Sequence, residues 1–454
     1  MSELTTAGRV VEIVRAKAGA AAQAEVMVHH SAEALTRFAN SAIHQNVADA
    51  TTTVRLRLHL DGRTATSSTT VTDGAGLESL VERTIAAAGL TPVDEAWAGL
   101  TAPTPAADRN GFDEATAGAG PAERAARVRA FVDAAGGLET AGYCRTYYRS
   151  GAFANSAGQS VSGQAAGADM DGIARDNGVD GVARLAGERI AVLDGAALGA
   201  RAAAKARAAG RAAELPPGRY EVVLEPDAVS DLLNNLSTFG FNGRAFTRGE
   251  SFARLGEAQF DPAVTVLDDP GGLLPFDLEG TPLRPLTLID GGTTAAVTHD
   301  RRSAAEAGAA TTGHASTISF VWGPVAHQPS MRPGPATAAS APDGPVAPSA
   351  RPLVAAMDRG LLITDFWYTR VLDQKSLVIT GLTRNGVWLV EGGEVVGAVG
   401  NMRFTQNYPQ ALGPGQVAGV GGEGVPIPDR WAGHRITVPA LHLRSWNLTG
   451  NASG

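Results

Sequence analysis

Leu215-Pro216-Pro217-Gly218 divides the chain into two parts with different patterns. Proline has no backbone donor and pushes the residue before it out of helical geometry, so no helix runs through this point. Just ahead lies DGAALGARAAAKARAAGRAAE, rich in strong helix formers, which predicts a helix over 196–213. Just behind it, Tyr220-Glu221-Val222-Val223-Leu224 reads as a strand. The break predicts an α+β chain of two units. Residues 1–215 form an N-terminal α/β sandwich-like domain and residues 216–454 a C-terminal, mainly antiparallel β domain.

In the first unit, apolar spacing predicts helices over 8–21, 75–88 and 121–135 and a loop over 92–110. Strands are expected over 25–30, 52–60 and 139–154, with several more between 163 and 189. Val54, Leu56, Leu58 and Leu60 alternate with Arg55, Arg57 and His59, which predicts one face in the core and one in water. Asp61-Gly62 then signals a hairpin. In the second unit, turn signals recur at Asp290-Gly291-Gly292, Asn385-Gly386 and Gly392-Gly393. Asn385-Gly386 is expected to join strands 377–382 and 387–390 in a meander. The proline-rich stretch 324–352 reads as a surface loop, with a mobile cover over a cleft as the sharper alternative. The glycine-rich stretch 417–425 reads as a flexible loop rather than a phosphate cradle.

With 454 residues and 44% hydrophobic content, the chain can bury large cores. Its net charge of −8 argues against a nucleic-acid surface or a polybasic membrane anchor. No run of about 18 apolar residues predicts a membrane span, and the amphipathic N-terminus does not resemble a signal peptide. A cytoplasmic location is expected. Cys144, the only cysteine, reads as a core residue. The nine histidines form no group with usual zinc spacing.

Residues 222–240, VVLEPDAVSDLLNNLSTFG, have the form of a strand running into an amphipathic helix. Val229, Leu232, Leu233, Leu236 and Phe239 make its apolar face. Asp227 is expected to cap its start and Gly240 to stop it. The stretch resembles the active-site helix of the TldD/PmbA peptidase family. Pro275-Phe276-Asp277-Leu278-Glu279-Gly280-Thr281-Pro282, Thr311-Thr312-Gly313-His314-Ala315 and Gly381-Leu382-Thr383-Arg384-Asn385-Gly386 resemble further family elements in the same order.

Catalytic members of that family carry His-Glu-x-x-x-His on this helix and take a cysteine ligand from the C-terminal domain. Here Asn234, Asn235 and Phe239 stand at the motif positions, and Cys144 lies in the other half. An amide pair and a phenyl ring supply neither imidazole ligands nor a basic carboxylate. On an ideal helix positions 234 and 239 lie about 140° apart, so a catalytic relative must distort its helix. This chain is expected to need no distortion, with Phe239 continuing the apolar stripe. The Asn pair is then either plain helix surface or a contact for a peptide or a partner's active site.

The resemblance implies a TldE/PmbA-like subunit with no catalytic, cofactor-binding or metal residues of its own. Its zinc would sit in a TldD-like partner carrying His-Glu-x-x-x-His, and the pair would cleave small unfolded or modified peptides. Two alternatives stay open. One is an independent peptidase or amide hydrolase with a relocated site in a biosynthetic pathway. The other is a peptide-binding homodimeric scaffold.

Overall fold

Four helices cover one face of a single large sheet, and the C-terminal half covers the other. The computed structural model describes residues 2–107, 112–210, 212–336, 344–429 and 435–452. The sheet has six antiparallel strands in the order Arg63–Thr69, Ala42–Leu60, Gln23–Ala39, Glu139–Asn155, Ser160–Asp176, Val179–Gly187. Asp61 and Gly62, with φ of 48° and 75°, form the expected hairpin turn. Val26, Val28, Val54, Leu56 and Leu58 pack against the helices Glu3–Ala18 and Gly74–Leu90. Farther along the same face, Cys144 and Met170 meet Phe131 of Pro121–Ala134 and Leu198 and Ala202 of Gly195–Ala208. Burial pushes the Cys144 thiol up to about 12, which suits a packing residue rather than a nucleophile.

The alternation over 52–60 is present, but its polar face does not point to water. Arg57 reaches Glu279 at 3.0 Å and Glu25 at 3.4 Å, and Arg301 reaches Glu279 at 3.1 Å and also binds Glu25. Trp97 lies against this quartet, its ring 4.7 Å from the Arg57 guanidinium. The helix expected over 196–213 ends at Ala208, and the first helix begins at Glu3, where the Ser2 side chain caps it.

In the second half, strand pairings close on themselves. Arg359–Asp373, Gly218–Leu224, Leu441–Asn451, Met402–Asn407 and Val378–Glu391 form a ring in that order, and Val378–Glu391 pairs back with Arg359–Asp373. One pair in it is parallel, Arg359–Asp373 with Gly218–Leu224. Phe366, Phe404 and Trp446 stack in its core at centroid distances of 4.5–5.3 Å. A second, six-stranded sheet holds Leu286–Asp290, Val266–Asp268, Pro329–Met331 and Arg435–Val438 at its centre.

Three expectations are corrected here. Asn385-Gly386 is no hairpin: it lies inside the strand Val378–Glu391, where two residues oppose Thr364 alone as a bulge. The stretch 324–352 is not simply a surface loop. Pro329–Met331 is a sheet strand, and Ala347, Ala350 and Leu353 are buried, while 337–343 lie outside the described residues. The stretch 417–425 supplies the strand Val417–Val420 and the start of Val425–Pro428.

At the bulge, Gly386 has φ of 128°, and a Cβ there would meet the Trp388 ring at 1.9 Å. Gly386→Ala is expected to cost at least about 1–3 kcal/mol, measurable as a lowered urea midpoint with an unchanged slope.

Candidate functional site

The helix that carries Asn234 is held at its start by two buried ion clusters. Pro226 occupies its first turn and Glu225, with extended backbone, is its N-cap. Asp227 does not cap the helix as expected. Its carboxylate accepts from Arg184 at 2.9 Å, and the same guanidinium reaches Asp171 at 2.7 Å and Asp365 at 3.0 Å. Burial works against the Arg184 charge, but the three carboxylates outweigh it and hold its pKa well above the ordinary value. Glu225 pairs with Lys205 and accepts the Ala347 N–H at 2.6 Å. Arg184 and Lys205 come from the first half of the chain, so both clusters fix this helix against the six-stranded sheet.

The helix proper is Pro226–Asn235, with Val229, Leu232 and Leu233 fully buried. It does not continue as an ordinary α-helix. Leu236–Gly240 is a π turn, in which each bond closes over five residues instead of four. The Ser237 hydroxyl donates to the carbonyl of Leu233 at 2.8 Å and to that of Asn234 at 3.2 Å, satisfying acceptors near the wide turn. Gly240 is required where the chain leaves it, since a Cβ there would meet the Phe252 ring at 2.4 Å.

This overturns the expectation of an undistorted helix. A wide turn rotates residues five apart toward one face, so positions 234 and 239 no longer diverge by about 140°. Nor is Phe239 simply part of the buried stripe. It is half-buried and meets Trp322 edge-on at 5.8 Å. The Asn242 amide donates to the Trp322 carbonyl at 2.6 Å, tying Ser319–Trp322 to the turn. Val321 and Trp322 remain 63% and 53% exposed.

Asn235 is nearly buried and spoken for. Its amide donates to the Asp231 carbonyl at 2.9 Å, the Asp231 carboxylate at 3.1 Å and the Thr369 hydroxyl at 3.5 Å. Asn234 is half-exposed beside it. The three motif positions thus form a small patch with an amide, a phenyl ring and no ionisable group. Such a patch can hydrogen-bond and pack, but it cannot ligate zinc or take a proton. Among the described residues, no group of three or more His, Cys, Asp or Glu side chains is arranged to hold a metal ion.

Residues 217–450 match the model of the PmbA/TldA metallopeptidase C-terminal domain, and residues 24–88 match domain 1 of the same family. The chain belongs to the TldD/PmbA metallopeptidase family. Its fold is shared with crystal structures of family size. TldE from Thermococcus kodakarensis superposes with a TM-score of 0.84 at 17% identity, over 98% of this chain and 100% of that one. A Thermotoga maritima protein described as a candidate modulator of a DNA gyrase gives 0.83 at 18% identity, over 98% and 99% of the two chains. A Bacteroides thetaiotaomicron protein of similar description gives 0.80 at 18% identity, over 98% of each. No curated protein matches the sequence.

The other family-like elements are held by contacts of their own. The Asp277 carboxylate accepts the N–H groups of Glu279, Thr281 and Ala315, each at 2.9 Å, which closes the acidic turn on itself. Glu279 belongs to the buried quartet with Arg57 and Arg301. His314 bonds Asp268 at 2.9 Å and stacks on His327 at 4.9 Å, and His299 bonds Ser303 at 3.1 Å. His442 bonds Glu221 at 2.6 Å, and His434 lies outside the described residues.

Burial holds the imidazoles of His299 and His327 below the usual range, and the neighbouring His314 adds to this. The unfolded chain therefore binds more protons than the native one below an ordinary histidine pKa of about 6.5. That contribution to stability is complete above this pH and is lost as pH falls through it. A lower melting temperature at pH 5 than at pH 7.5 is expected, with the difference reduced in His327→Gln.

Proposed function

We propose that this chain is the non-catalytic, TldE-like subunit of a two-chain zinc peptidase. It helps enclose and align a small peptide, and a TldD-like partner carrying His-Glu-x-x-x-His hydrolyses it. The observation that carries this reading is the π turn at Leu236–Gly240. The helix keeps a distortion that an Asn-Asn-Phe sequence has no chemical need for, at the place where family members with the motif must aim two histidines at one metal. The family membership and the whole-chain likeness to TldE support it at the level of fold.

The patch at Asn234, Phe239 and Trp322 suits a chamber wall. Amides offer both donors and acceptors to a peptide backbone, and exposed aromatic faces pack against its side chains. The test is to assay an unstructured peptide with the lone chain, with a motif-bearing partner, and with both. Hydrolysis by the pair that is abolished by a chelator, with none from this chain alone, is the expected result. Chelator-resistant hydrolysis by the lone chain would overturn the proposal in favour of a relocated site. Tight peptide binding by a homodimer that recruits no partner would overturn it in favour of a scaffold.

A further inference from the structure

Between the two halves of the chain lies a cavity of about 350 Å³ that the helix at Asn234 does not touch. Its floor is the face of the six-stranded sheet that turns away from the helices. Met27 and His29 project there from the central strand, Arg55 and Thr53 from one neighbour and Arg149 from the other. Its cover is the segment 272–278 with Leu283 and 315–317. Leu273, Leu274 and Leu278 are only partly buried, so apolar surface is left facing the space.

Two guanidinium groups line this apolar cavity. Arg57, two residues from Arg55, is locked to Glu25 and Glu279. Arg55 and Arg149, by contrast, form no hydrogen bond or ion pair among the described residues, although Arg149 lies over the Tyr147 ring at 5.0 Å. The one carboxylate in the lining, Asp277, is turned to its own backbone N–H donors. Burial and then the charge of Arg149 hold the His29 pKa below its usual range, which disfavours a third cation in the lining. Arg55 feels the Glu25 and Glu279 carboxylates but is bonded to neither, and burial and the neighbouring Arg57 both work against its charge. An anion in the cavity would relieve the cost of holding guanidinium groups beside apolar surface. The volume lies near the lower end of small-molecule sites, which run from about 300 to 1,000 Å³.

We propose that this cavity binds an apolar monocarboxylate, with the Arg55 and Arg149 guanidinium groups recognising the carboxylate and Leu273, Leu274 and Leu278 receiving the apolar body. The chemistry is shared by the free C-terminal residue of a short peptide and by a medium-chain fatty acid. The geometry favours the peptide source, because the covering segment continues from Thr317 to Trp322, which sits on Phe239. A peptide terminus held here would lead its chain toward the motif patch. Only that orientation rests on the peptidase-subunit reading; carboxylate binding by the lone chain does not.

The test is calorimetric titration of the lone full-length chain with N-acetyl-leucine, N-acetyl-leucine amide and octanoate. Binding of at least one acid is expected, with the amide weaker by about tenfold or more than its acid. Arg55→Gln/Arg149→Gln is expected to abolish acid binding while the melting temperature stays within a few degrees. If that variant fails to fold, the acid and amide on the unaltered chain decide the matter. N-acetyl-leucine binding more tightly than octanoate supports the peptide source, and the reverse supports the lipid source under the same carboxylate chemistry. Equal binding of acid and amide, no binding of either acid at millimolar concentration, or a folded double variant that binds unchanged would overturn the proposal.

Discussion

Arg184→Met is expected to destabilise the protein by about 3–5 kcal/mol, enough to prevent folding in a chain of ordinary stability. Arg184 is only 7% exposed and holds three carboxylates from three elements, Asp171, Asp227 and Asp365. Removing the guanidinium leaves buried anions without the counter-charge they share, which costs far more than the pair itself contributes. The matching control is Arg175→Met. Arg175 meets Asp180 at 2.6 Å, as short as any pair in the buried cluster, but is 45% exposed. Its loss is expected to cost less than about 1 kcal/mol. Urea unfolding of both variants distinguishes burial from bond length as the controlling factor.

The Arg184→Met variant should also depend on pH in a defined direction. Burial already raises the Asp227 pKa. Without Arg184 the native state holds protons that the unfolded chain releases above about pH 4. The variant's deficit relative to the parent should therefore shrink as pH is lowered from neutral toward 5. A deficit independent of pH would show that lost packing, not unpaired charge, is the cause.

The second large effect is a gain. Asn234→His, Asn235→Glu and Phe239→His together are expected to make a chain that takes up zinc, where the parent takes up none. The wide turn brings positions 234 and 239 toward one face, and position 235 adds a carboxylate beside them. With two imidazoles and no cysteine in the C-terminal half, the affinity should fall below that of a three-ligand site. Losing the Phe239 packing against Trp322 should cost about 1 kcal/mol. Equilibrium dialysis with zinc measures the uptake. A folded triple variant that stays metal-free would mean that the two positions do not face a common point.

Much of the frame was legible from periodicity and turn chemistry. The alternation of Val54, Leu56 and Leu58 with arginines marked a strand, and the 222–240 pattern marked the strand and helix that carry the motif positions. What the sequence concealed depends on contacts between distant residues. The π turn is buttressed by Trp322, which docks on Phe239 and bonds Asn242 from 80 residues away, and the local Ser237 bond to Leu233 is one that a serine also makes in an ordinary helix. Asp227 looked like a helix cap because caps are local; its partner Arg184 lies 43 residues away. Asn385-Gly386 carries the residues of a tight hairpin, but positive φ also suits a bulge, and Thr364 on the facing strand decides between them. The arginine face over 52–60 looked solvated because the carboxylates that cover part of it, such as Glu279, lie more than two hundred residues on.

The central claim is that this chain keeps the architecture of a metallopeptidase site while another chain supplies the chemistry. Native mass spectrometry of this chain, alone and mixed with a TldD-like partner, tests it most directly. The account predicts a metal-free lone chain and a mixed complex of one copy of each chain with one zinc. That zinc should be lost when the partner's motif histidines are replaced and retained when Asn234 is changed to Ala. One zinc bound stoichiometrically to this chain by itself would contradict it.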